Sequence, residues 1–438
     1  MSYSSDLAHL WKSQGFRRLT RVRVVSQAGD GAFQFGIATA FFFSPENATT
    51  PEDIAIGFAV LFAPFTLIGP FVGPFIDRWH RQRIVLAGNL VRLGMVGMIV
   101  GAVVVGAPRI SLYALALATL SVNRFLLAAL SAGIPQVVDP EDLLAANAIM
   151  PTLGTIAAAL GGAVGGVVAF VVPGVSDDHK ALLALGAAGA GFGLSSWAAT
   201  ALSKRALGPV RLLQADVVVK EAAHVLMELR DGYRHLRQRA TPFHALGVMA
   251  AARLLYGLMF VASILISRNV LDDPSDPQGA IGKFAIVVGF AAIGFGLAAV
   301  VTPAFAHRVE RHDWVIVCLL LGGVGQTLLA VSSAPWALLS AAVIVSFAVQ
   351  GGKIAVDTIV QRDTDDAYRG RAFALYDVAY NTAFITAAGI GALVLPANGY
   401  SHAVMAALVV AYLVFAFAYS RAPREPRLPA DTETSPPR

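Results

Sequence analysis

The chain has 438 residues, of which 56% are hydrophobic and only 14% are charged. A soluble globular protein is about 25% charged, so the composition excludes an ordinary soluble enzyme. The dominance of apolar residues also excludes a disordered chain. With one cysteine, Cys318, the sequence offers neither an internal disulfide nor a cysteine-based metal site. The net charge of +5 would suit nucleic-acid binding, but the position of the positive charges indicates another role.

Twelve apolar segments, each long enough to cross a bilayer, follow one another in two sets of six. A spanning helix needs about 20 apolar residues, and long runs without alternation indicate helices rather than barrel strands. The first set lies at about 21–43, 53–76, 84–106, 110–134, 147–172 and 181–202. The second lies at about 243–267, 281–306, 314–333, 336–357, 372–396 and 401–420. The predicted fold class is an all-α polytopic membrane protein with twelve transmembrane helices in two pseudo-symmetric six-helix bundles.

Lysine and arginine give the predicted orientation, because loops on the inner side of a membrane are enriched in both. With the N-terminus inside, the inner segments hold 25 of the 33 Lys and Arg residues, and the outer loops hold four. The basic excess is therefore a topology signal. We expect a multi-pass protein of the cell membrane with both termini cytoplasmic and no nucleic-acid partner.

Polar segments divide the chain further. Residues 1–20 are predicted to be a cytoplasmic segment, and they lack the apolar core of a cleaved signal peptide. Residues 21–202 are predicted to form the N-terminal bundle, and residues 242–420 the C-terminal bundle. Between the bundles, 203–241 has apolar residues at helical spacing and arginines on the other positions. This pattern predicts a linker with an amphipathic helix on the inner membrane surface. The proline-rich tail, 421–438, is predicted to be disordered.

A charged motif follows the second span and recurs in a degraded form after the eighth. The first copy comprises Gly73, Asp77, Arg78, Arg81 and Arg83. The second copy comprises His307, Arg308 and Arg311. The first copy resembles the loop 2–3 signature of the major facilitator superfamily. The resemblance implies a conformational latch in which the carboxylate holds the inner ends of the two halves together when the cavity opens outward. The alternative is that the cluster only anchors the loop on the inner side.

Three further stretches, at 135–147, 228–236 and 369–376, resemble the drug and siderophore exporter branch of this superfamily, which includes enterobactin and macrolide exporters. In span five, a glycine cluster resembles the antiporter motif G-P-x-x-G-G, with glycine in place of the proline. It comprises Gly161, Gly162, Gly165 and Gly166. The resemblance implies two bundles around a central cavity that opens alternately to each side.

Ionisable residues within spans are functional candidates, because each costs about 2.5–3.5 kcal/mol to insert. In the first span, Arg23, Gln27, Asp30 and Gln34 recur at helical spacing and form one polar stripe. Counted along the helices, Asp30 and Arg124 of span four lie at compatible depths, so we expect an ion pair or a water-linked network between them. Such a carboxylate is a candidate proton carrier. The alternative is a purely structural salt bridge.

Other charges within spans have different interpretations. Arg92 enters span three by two turns and is predicted to snorkel to the inner surface. Arg253 of span seven, near Tyr256, either binds an anionic substrate group or only holds the halves together. Lys353 and Asp357 stand four apart and are expected to neutralise each other. The candidates for the lining of the substrate cavity are Gln27, Gln34, Asn123, Arg253, Tyr256, Tyr380 and Asn381.

The motifs of common enzymes are missing from the sequence. It has no G-x-x-x-x-G-K-[ST] loop, zincin histidine pair or G-x-S-x-G turn, so we expect no catalytic residues, no cofactor and no metal. The prediction is a secondary active transporter, not an enzyme, that works by alternating access. It would couple the export of an amphipathic small molecule (a drug, siderophore or secondary metabolite) to protons. The expected partners are this substrate, protons and the lipid bilayer, and a monomer is expected.

Two alternatives remain open. The same fold could move lipid, for example as a lysophospholipid flippase, with the cargo entering sideways between spans. A transport-dead receptor or membrane scaffold belongs to another class of protein. The lack of a large soluble domain counts against it.

Overall fold

The computed structural model describes residues 10–43, 51–67, 71–76, 78–139, 142–171, 177–208, 215–271, 277–305 and 308–424. Within these ranges the chain is helical and contains no β-strand, so the predicted all-α fold class is confirmed. The chain forms two compact units. Unit 1 comprises 1–228, 257–286 and 377–401, and unit 2 comprises 229–256, 287–376 and 402–438. The predicted domain boundaries stay predictions.

The helices follow the predicted spans closely. In chain order they are α1 (Gln14–Ala38), α2 (Pro51–Leu67), α3 (Val72–Ile76), α4 (Arg81–Val104), α5 (Arg109–Ala132), α6 (Leu143–Val171), α7 (Asp177–Ala199), α8 (Ala215–Gln238), α9 (Ala240–Asn269), α10 (Pro277–Phe305), α11 (Arg311–Val331), α12 (Pro335–Asp363), α13 (Asp366–Val394) and α14 (His402–Ser420). A π-helical turn, Thr39–Phe43, extends α1, and a 3₁₀ turn, Ile134–Gln136, follows α5.

Ten of these described helices are long and apolar enough to cross a membrane, namely α4 to α7 and α9 to α14. The helices of the first two predicted spans differ from them in separate ways. From residue 21 onward, where the first span is predicted, α1 contains three charges, Arg21, Arg23 and Asp30, and α2 has only 17 described residues. Charges in α1 are tolerated because protein rather than lipid surrounds much of this helix, as its buried residues show.

In unit 1, α1 is the central helix and packs along its length against α6 and α7. Near its start, Phe16, Leu19 and Val22 are buried in an apolar cluster with Leu126 and Met150. This cluster holds the beginning of α1 by apolar burial. In the middle of the helix, the polar side chains of Ser26 and Asp30 make the contacts with α4.

In unit 2, α11 packs against both α12 and α14. A Cβ added to Gly322 would stand 2.6 Å from the Tyr412 ring of α14, and one added to Gly325 would stand 2.8 Å from the Val345 side chain of α12. Small residues at such contacts let helices approach closely. The glycines of α11 therefore fix its distance from both neighbours.

The linker segment forms the helix α8, which ends against the segment that connects α12 and α13. Leu236 near its end is 2% exposed. The His235 ring stacks on the Tyr368 ring with centroids 4.1 Å apart, and Arg239 Nη2 lies 2.7 Å from Asp365 Oδ1. The place of this helix on the membrane surface stays a prediction.

Candidate functional site

An ion pair is buried in the middle of α1. Asp30 on α1 and Arg92 on α4 pair through Oδ1 and Nη2, and their side chains are 2% and 0% exposed. Gln27 Nε2 donates a hydrogen bond of 2.6 Å to the second carboxylate oxygen of Asp30. The structure thus gives Asp30 a different partner from the predicted Arg124. It also corrects the prediction that Arg92 snorkels to the surface, because the whole side chain is enclosed.

Neutral groups hold Arg92 in addition to the carboxylate. Its Nη1 lies 3.3 Å from Ser26 Oγ and 3.4 Å from Asn89 Oδ1. Its guanidinium carbon lies 3.6 Å from the centroid of the Phe192 ring. Hydrogen bonds and a cation–π contact offset part of the cost of burying a charge. The position of the guanidinium is therefore fixed by α1, α4 and α7 together.

A chain of hydrogen bonds links the same three helices. Ser26 Oγ donates to Asn89 Oδ1 at 3.2 Å, and Asn89 Nδ2 donates to Ser195 Oγ at 3.1 Å. Ser195 Oγ in turn donates to the carbonyl oxygen of Val22 at 2.9 Å. Sequence reasoning missed these residues. The spacing of Asn89 and Arg92, three apart on an apolar helix, is the signal that could have shown a buried polar face.

Glycines bring α1 close enough to its neighbours for these contacts. On the α6 side, a Cβ on Gly31 would overlap the carbonyl oxygen of Ala158, and one on Gly161 would overlap that of Ala28. On the α7 side, a Cβ on Gly29 would stand 2.9 Å from the Phe192 ring. Backbone rather than flexible side chain is the obstacle on the α6 side, so these two glycines determine how closely the helices pack.

The glycines of the antiporter-like motif all contact α1. Gly161 faces its backbone, and a Cβ on Gly162 would lie 3.6 Å from the carbonyl oxygen of Gly31. A Cβ on Gly165 or Gly166 would lie 3.2 or 3.5 Å from the Phe35 ring. The four glycines of the motif therefore form the part of the α6 surface that packs against α1.

The predicted polar stripe of α1 is buried in part. Arg23 is 7% exposed and donates from Nη1 to Ser131 Oγ at 3.3 Å. Gln27 is half-buried beside Asp30, whereas Gln34 is exposed. The stripe thus begins inside the protein and ends on an accessible surface.

Arg124 on α5 interacts electrostatically with Asp377 on α13, both in unit 1. Its neighbour Asn123 is 4% exposed. Asn381 Nδ2 donates to the carbonyl oxygen of Asp377 at 2.8 Å, and Tyr380 lies in the same turn of α13. The structure therefore brings Arg124 near the turn that carries two of the predicted cavity residues.

In unit 2, Arg253 and Tyr256 lie together on α9. The guanidinium carbon of Arg253 is 5.3 Å from the centroid of the Tyr256 ring. Tyr256 is 6% exposed and packs edge-on against Phe295 of α10. On α12, Lys353 Nζ lies 2.7 Å from Asp357 Oδ2, which confirms that these two residues neutralise each other.

Arg81 of the latch motif binds backbone. Its Nη1 donates to the carbonyl oxygens of Ala132 at 2.9 Å and Leu207 at 3.1 Å. Its own backbone N–H donates to the carbonyl of Gly208, whose φ of 69° is a left-handed conformation that glycine adopts without strain. Arg81 therefore ties the start of α4 to the end of α5 and to the segment after α7.

The rest of the motif is described in part. Gly73 lies in α3, Arg78 stands 5.2 Å from the Trp79 ring, and Arg83 is exposed on the first turn of α4. Arg308 is exposed, and Arg311 is the first residue of α11. Asp77 and His307 lie outside the described residues.

A phenylalanine cluster in unit 1 was not singled out by sequence reasoning as a joint between the predicted halves. The Phe384 ring lies 5.3 Å from that of Phe58, 4.8 Å from that of Phe62 and 5.8 Å from that of Phe260, centroid to centroid. Phe260 also contacts Phe284 at 5.6 Å. These rings join α2 to α9, α10 and α13. Sequence alone does not distinguish them from phenylalanines that face lipid.

The buried centre of unit 1 suits the neutralisation of charge. It pairs one carboxylate with one guanidinium, and their other partners are neutral: two amides, one hydroxyl and the Phe192 ring. Among the residues that the structure describes, no group of three or more His, Cys, Asp or Glu could hold a metal ion. With its long apolar helices and this enclosed ion pair, the molecule is a multi-pass membrane protein.

Comparison with known proteins identifies the family. The chain is 30% identical over 399 residues to an uncharacterized MFS-type transporter of Mycobacterium bovis, a match that covers 90% of this chain and 88% of that protein. The same values hold for one of Mycobacterium tuberculosis. The profile described as Major Facilitator Superfamily matches residues 245–437. The chain belongs to the major facilitator superfamily and is a membrane transporter of this type.

Solved structures share the fold at low identity. The nucleoside transporter NupG superposes with a TM-score of 0.66 and 13% identity, covering 92% of this chain and 97% of that one. The peptide transporter POT in complex with sulfate superposes with a TM-score of 0.69 and 14% identity, covering 93% of this chain and 94% of that one. A bacterial homologue of the iron transporter ferroportin in the outward-facing state superposes with a TM-score of 0.58 and 16% identity, covering 92% of this chain and 98% of that one. At these identities the likeness shows the fold alone.

Proposed function

We propose that the protein is a proton-coupled exporter of an amphipathic small molecule, of the drug and siderophore exporter branch, with both termini on the cytoplasmic side. It works by alternating access, and Asp30 carries the proton. The observation that carries the proposal is the enclosed Asp30–Arg92 pair. A buried charge is expensive unless it is compensated, so charges inside a membrane bundle mark functional positions.

The geometry supports a specific coupling step. Protonation of the Asp30 carboxylate removes the negative partner of Arg92, while Ser26, Asn89 and Phe192 still hold the guanidinium. The attraction between α1 and α4 then falls at one point in the middle of both helices. A proton thus changes how strongly α1 is held against α4 within the N-terminal bundle.

The other candidates have supporting roles in this proposal. Gln27 and Gln34 lead from the ion pair towards the accessible end of the α1 stripe, and Arg124 with Tyr380 and Asn381 lines the same substrate cavity. Arg253 with Tyr256 would bind an anionic group of the substrate. The motif residues Asp77, Arg78 and Arg83 would act as the latch, with Arg81 holding the backbone around them.

Transport into everted membrane vesicles tests the proposal. Vesicles with an acidic interior are given ethidium, Hoechst 33342 or a fluorescent lysophosphatidylethanolamine, and uptake is followed with and without a protonophore. We expect protonophore-sensitive dye uptake by the wild type. Asp30→Asn should lose it while keeping dye-dependent thermal stabilisation.

Asp357→Asn is the matched control, because it also neutralises a paired acidic residue within a span. It should keep gradient-driven uptake. Equal uptake by wild type and Asp30→Asn would eliminate the coupling role of Asp30. Movement of the lysophospholipid without uptake of either dye would replace the exporter by a lipid flippase.

A further inference from the structure

A cavity of about 250 Å³ lies in unit 2, between the end of α10, the start of α11 and the second half of α12. Phe305 and Ile354 contribute apolar wall, and Thr302, Arg311 and Trp314 contribute polar atoms. We call it the α10–α12 cavity. It is separate from the ion pair of unit 1.

Two buried side chains that line the cavity have a polar group without a hydrogen-bond partner in the described part of the chain. Thr302 is 6% exposed and Trp314 is 9% exposed. Neither the Thr302 hydroxyl nor the Trp314 indole N–H forms a hydrogen bond with any group in the described part of the chain. Leaving a buried donor unsatisfied is costly. The pair therefore indicates a ligand that offers an acceptor oxygen.

A glycine keeps space open beside both donors. A Cβ added to Gly351 on α12 would stand 3.2 Å from Thr302 Oγ1 and 3.5 Å from Trp314 Nε1. The two donors thus converge on one position from α10 and α11. Any larger residue at 351 would occupy that position.

The level of the cavity in the fold restricts the class of ligand. Arg311 is the first residue of α11, and Trp314 lies three residues further, about 4.5 Å along the axis. Because α11 is long and apolar enough to cross a membrane and begins at Arg311, we place the cavity within about one helical turn of the membrane surface, where tryptophan is enriched. The Phe305 ring stacks on Trp314 with centroids 5.8 Å apart and is 42% exposed. The lining thus has a cation, Arg311, then the neutral donors Trp314 and Thr302, and then an exposed apolar wall at Phe305. A phospholipid presents matching groups in the same order: a phosphate, ester carbonyls and an acyl chain.

We propose that the α10–α12 cavity binds an anionic phospholipid of the adjoining leaflet. Arg311 pairs with the phosphate, because guanidinium and phosphate form strong charge-assisted hydrogen bonds. Trp314 and Thr302 donate to an ester carbonyl oxygen. The first part of an acyl chain lies along Phe305 and Ile354.

Lipid titration of the purified, delipidated full chain in detergent tests the proposal. Dioleoyl phosphatidylglycerol, dioleoyl phosphatidylcholine and inorganic phosphate are added separately, and binding is read by native mass spectrometry and by the shift in Tm. We expect phosphatidylglycerol to bind saturably and more tightly than phosphatidylcholine. The double variant Thr302→Val, Trp314→Phe should bind phosphatidylglycerol about tenfold more weakly, because two hydrogen bonds are lost.

A matched double variant, Thr327→Val with Trp336→Phe, controls for the change in composition. Thr327 Oγ1 already donates to the carbonyl of Gly323 at 2.8 Å, and Trp336 is 56% exposed at the start of α12. It should bind phosphatidylglycerol like the wild type. Should the test variant fail to fold, Thr302→Val alone, which keeps the shape of the side chain, is expected to weaken binding about threefold.

Three results would overturn the assignment. They are unchanged phosphatidylglycerol binding in the Thr302 variants, equal binding of phosphatidylcholine, and displacement of the lipid by inorganic phosphate, which would indicate a site for a free anion. Because the readout is binding, the outcome is independent of whether the protein moves protons.

Discussion

The ion pairs Asp30–Arg92 in unit 1 and Lys353–Asp357 in unit 2 compensate charge in opposite ways. The first joins two helices and is almost fully enclosed, whereas the second lies four residues apart on α12 and is 30% and 35% exposed. An ion pair within one exposed helix face contributes little to stability. Removing one partner from an enclosed pair leaves an uncompensated charge. We therefore expect enclosure, and not the presence of charge, to decide how much stability is lost when one partner of a pair is removed.

The largest expected effect comes from removing the cation of the enclosed pair, with the cation of the exposed pair as the comparison. Arg92→Leu should lower the free energy of unfolding by about 3–5 kcal/mol, because Asp30 keeps its carboxylate in an enclosed site. Lys353→Leu should cost less than about 1 kcal/mol, since the Asp357 side chain is 35% exposed and not enclosed. Thermal or denaturant unfolding in one detergent measures both.

A second substitution at the partner completes the first experiment. Asp30→Asn added to Arg92→Leu should recover part of the lost stability, because the unpaired charge is gone. If Arg92→Leu costs no more than Lys353→Leu, enclosure is not what distinguishes the two pairs.

The next effect concerns the packing that holds Asp30 opposite Arg92. Gly161→Ala should destabilise the protein by about 1–3 kcal/mol, because its Cβ would overlap the carbonyl oxygen of Ala28 on α1. Gly162→Ala is the matched control one residue further. Its Cβ would stand in ordinary contact, 3.6 Å from the carbonyl oxygen of Gly31. Unfolding of the two alanine variants under the same conditions gives the difference.

Gly162→Ala should keep wild-type stability, so the two neighbouring glycines of the antiporter-like motif should behave differently. Equal losses from both would mean that the motif does not act through the close contact of α6 with α1.

The spans and an ion pair at Asp30 were predictable from sequence, whereas the partner of Asp30 was not. Long apolar runs locate the helices, and a lone carboxylate in such a run is conspicuous. Depth did not identify the partner. Arg92 lies 11 residues after the start of α4, or about 16 Å, and Arg124 lies 8 residues before the end of α5, or about 12 Å, so both arginines are far from the helix ends. Rotation about the helix axis decides between them, and it depends on contacts such as Gly29 against Phe192. Such contacts join residues far apart in the chain, so periodicity within one helix does not reveal them.

The α10–α12 cavity was unpredictable for a related reason. Thr302, Trp314 and Gly351 come from three helices, and each is unremarkable in its own segment. Their significance arises only from convergence at one point. The Phe384 cluster likewise depends on rings from separate helices.

A smaller loss of stability should distinguish a buried hydroxyl that has hydrogen-bond partners, Ser195, from one that has none in the described part of the chain, Ser346. Ser195→Ala should cost about 1 kcal/mol, because Ser195 Oγ accepts from Asn89 and donates to the Val22 carbonyl. Ser346 of α12 is buried too, but its hydroxyl has no hydrogen-bond partner in the described part of unit 2. Ser346→Ala should therefore be neutral or stabilising. Equilibrium unfolding of the two single variants checks this, and a loss at position 346 as large as at 195 would contradict it.

The smallest effect is expected at the end of the linker helix α8. Arg239 and Asp365 form an ion pair of 2.7 Å with both side chains 50% exposed, so Asp365→Asn should cost less than about 1 kcal/mol. Salt screens exposed pairs and barely affects enclosed ones. The Tm difference between Asp365→Asn and the wild type should therefore shrink at high salt, whereas the difference caused by Arg92→Leu should persist. A salt-independent loss at Asp365 would mean that its role lies in the contact with His235, whose Nε2 is 3.6 Å from the second carboxylate oxygen, and the linker would then be held by packing around that ring.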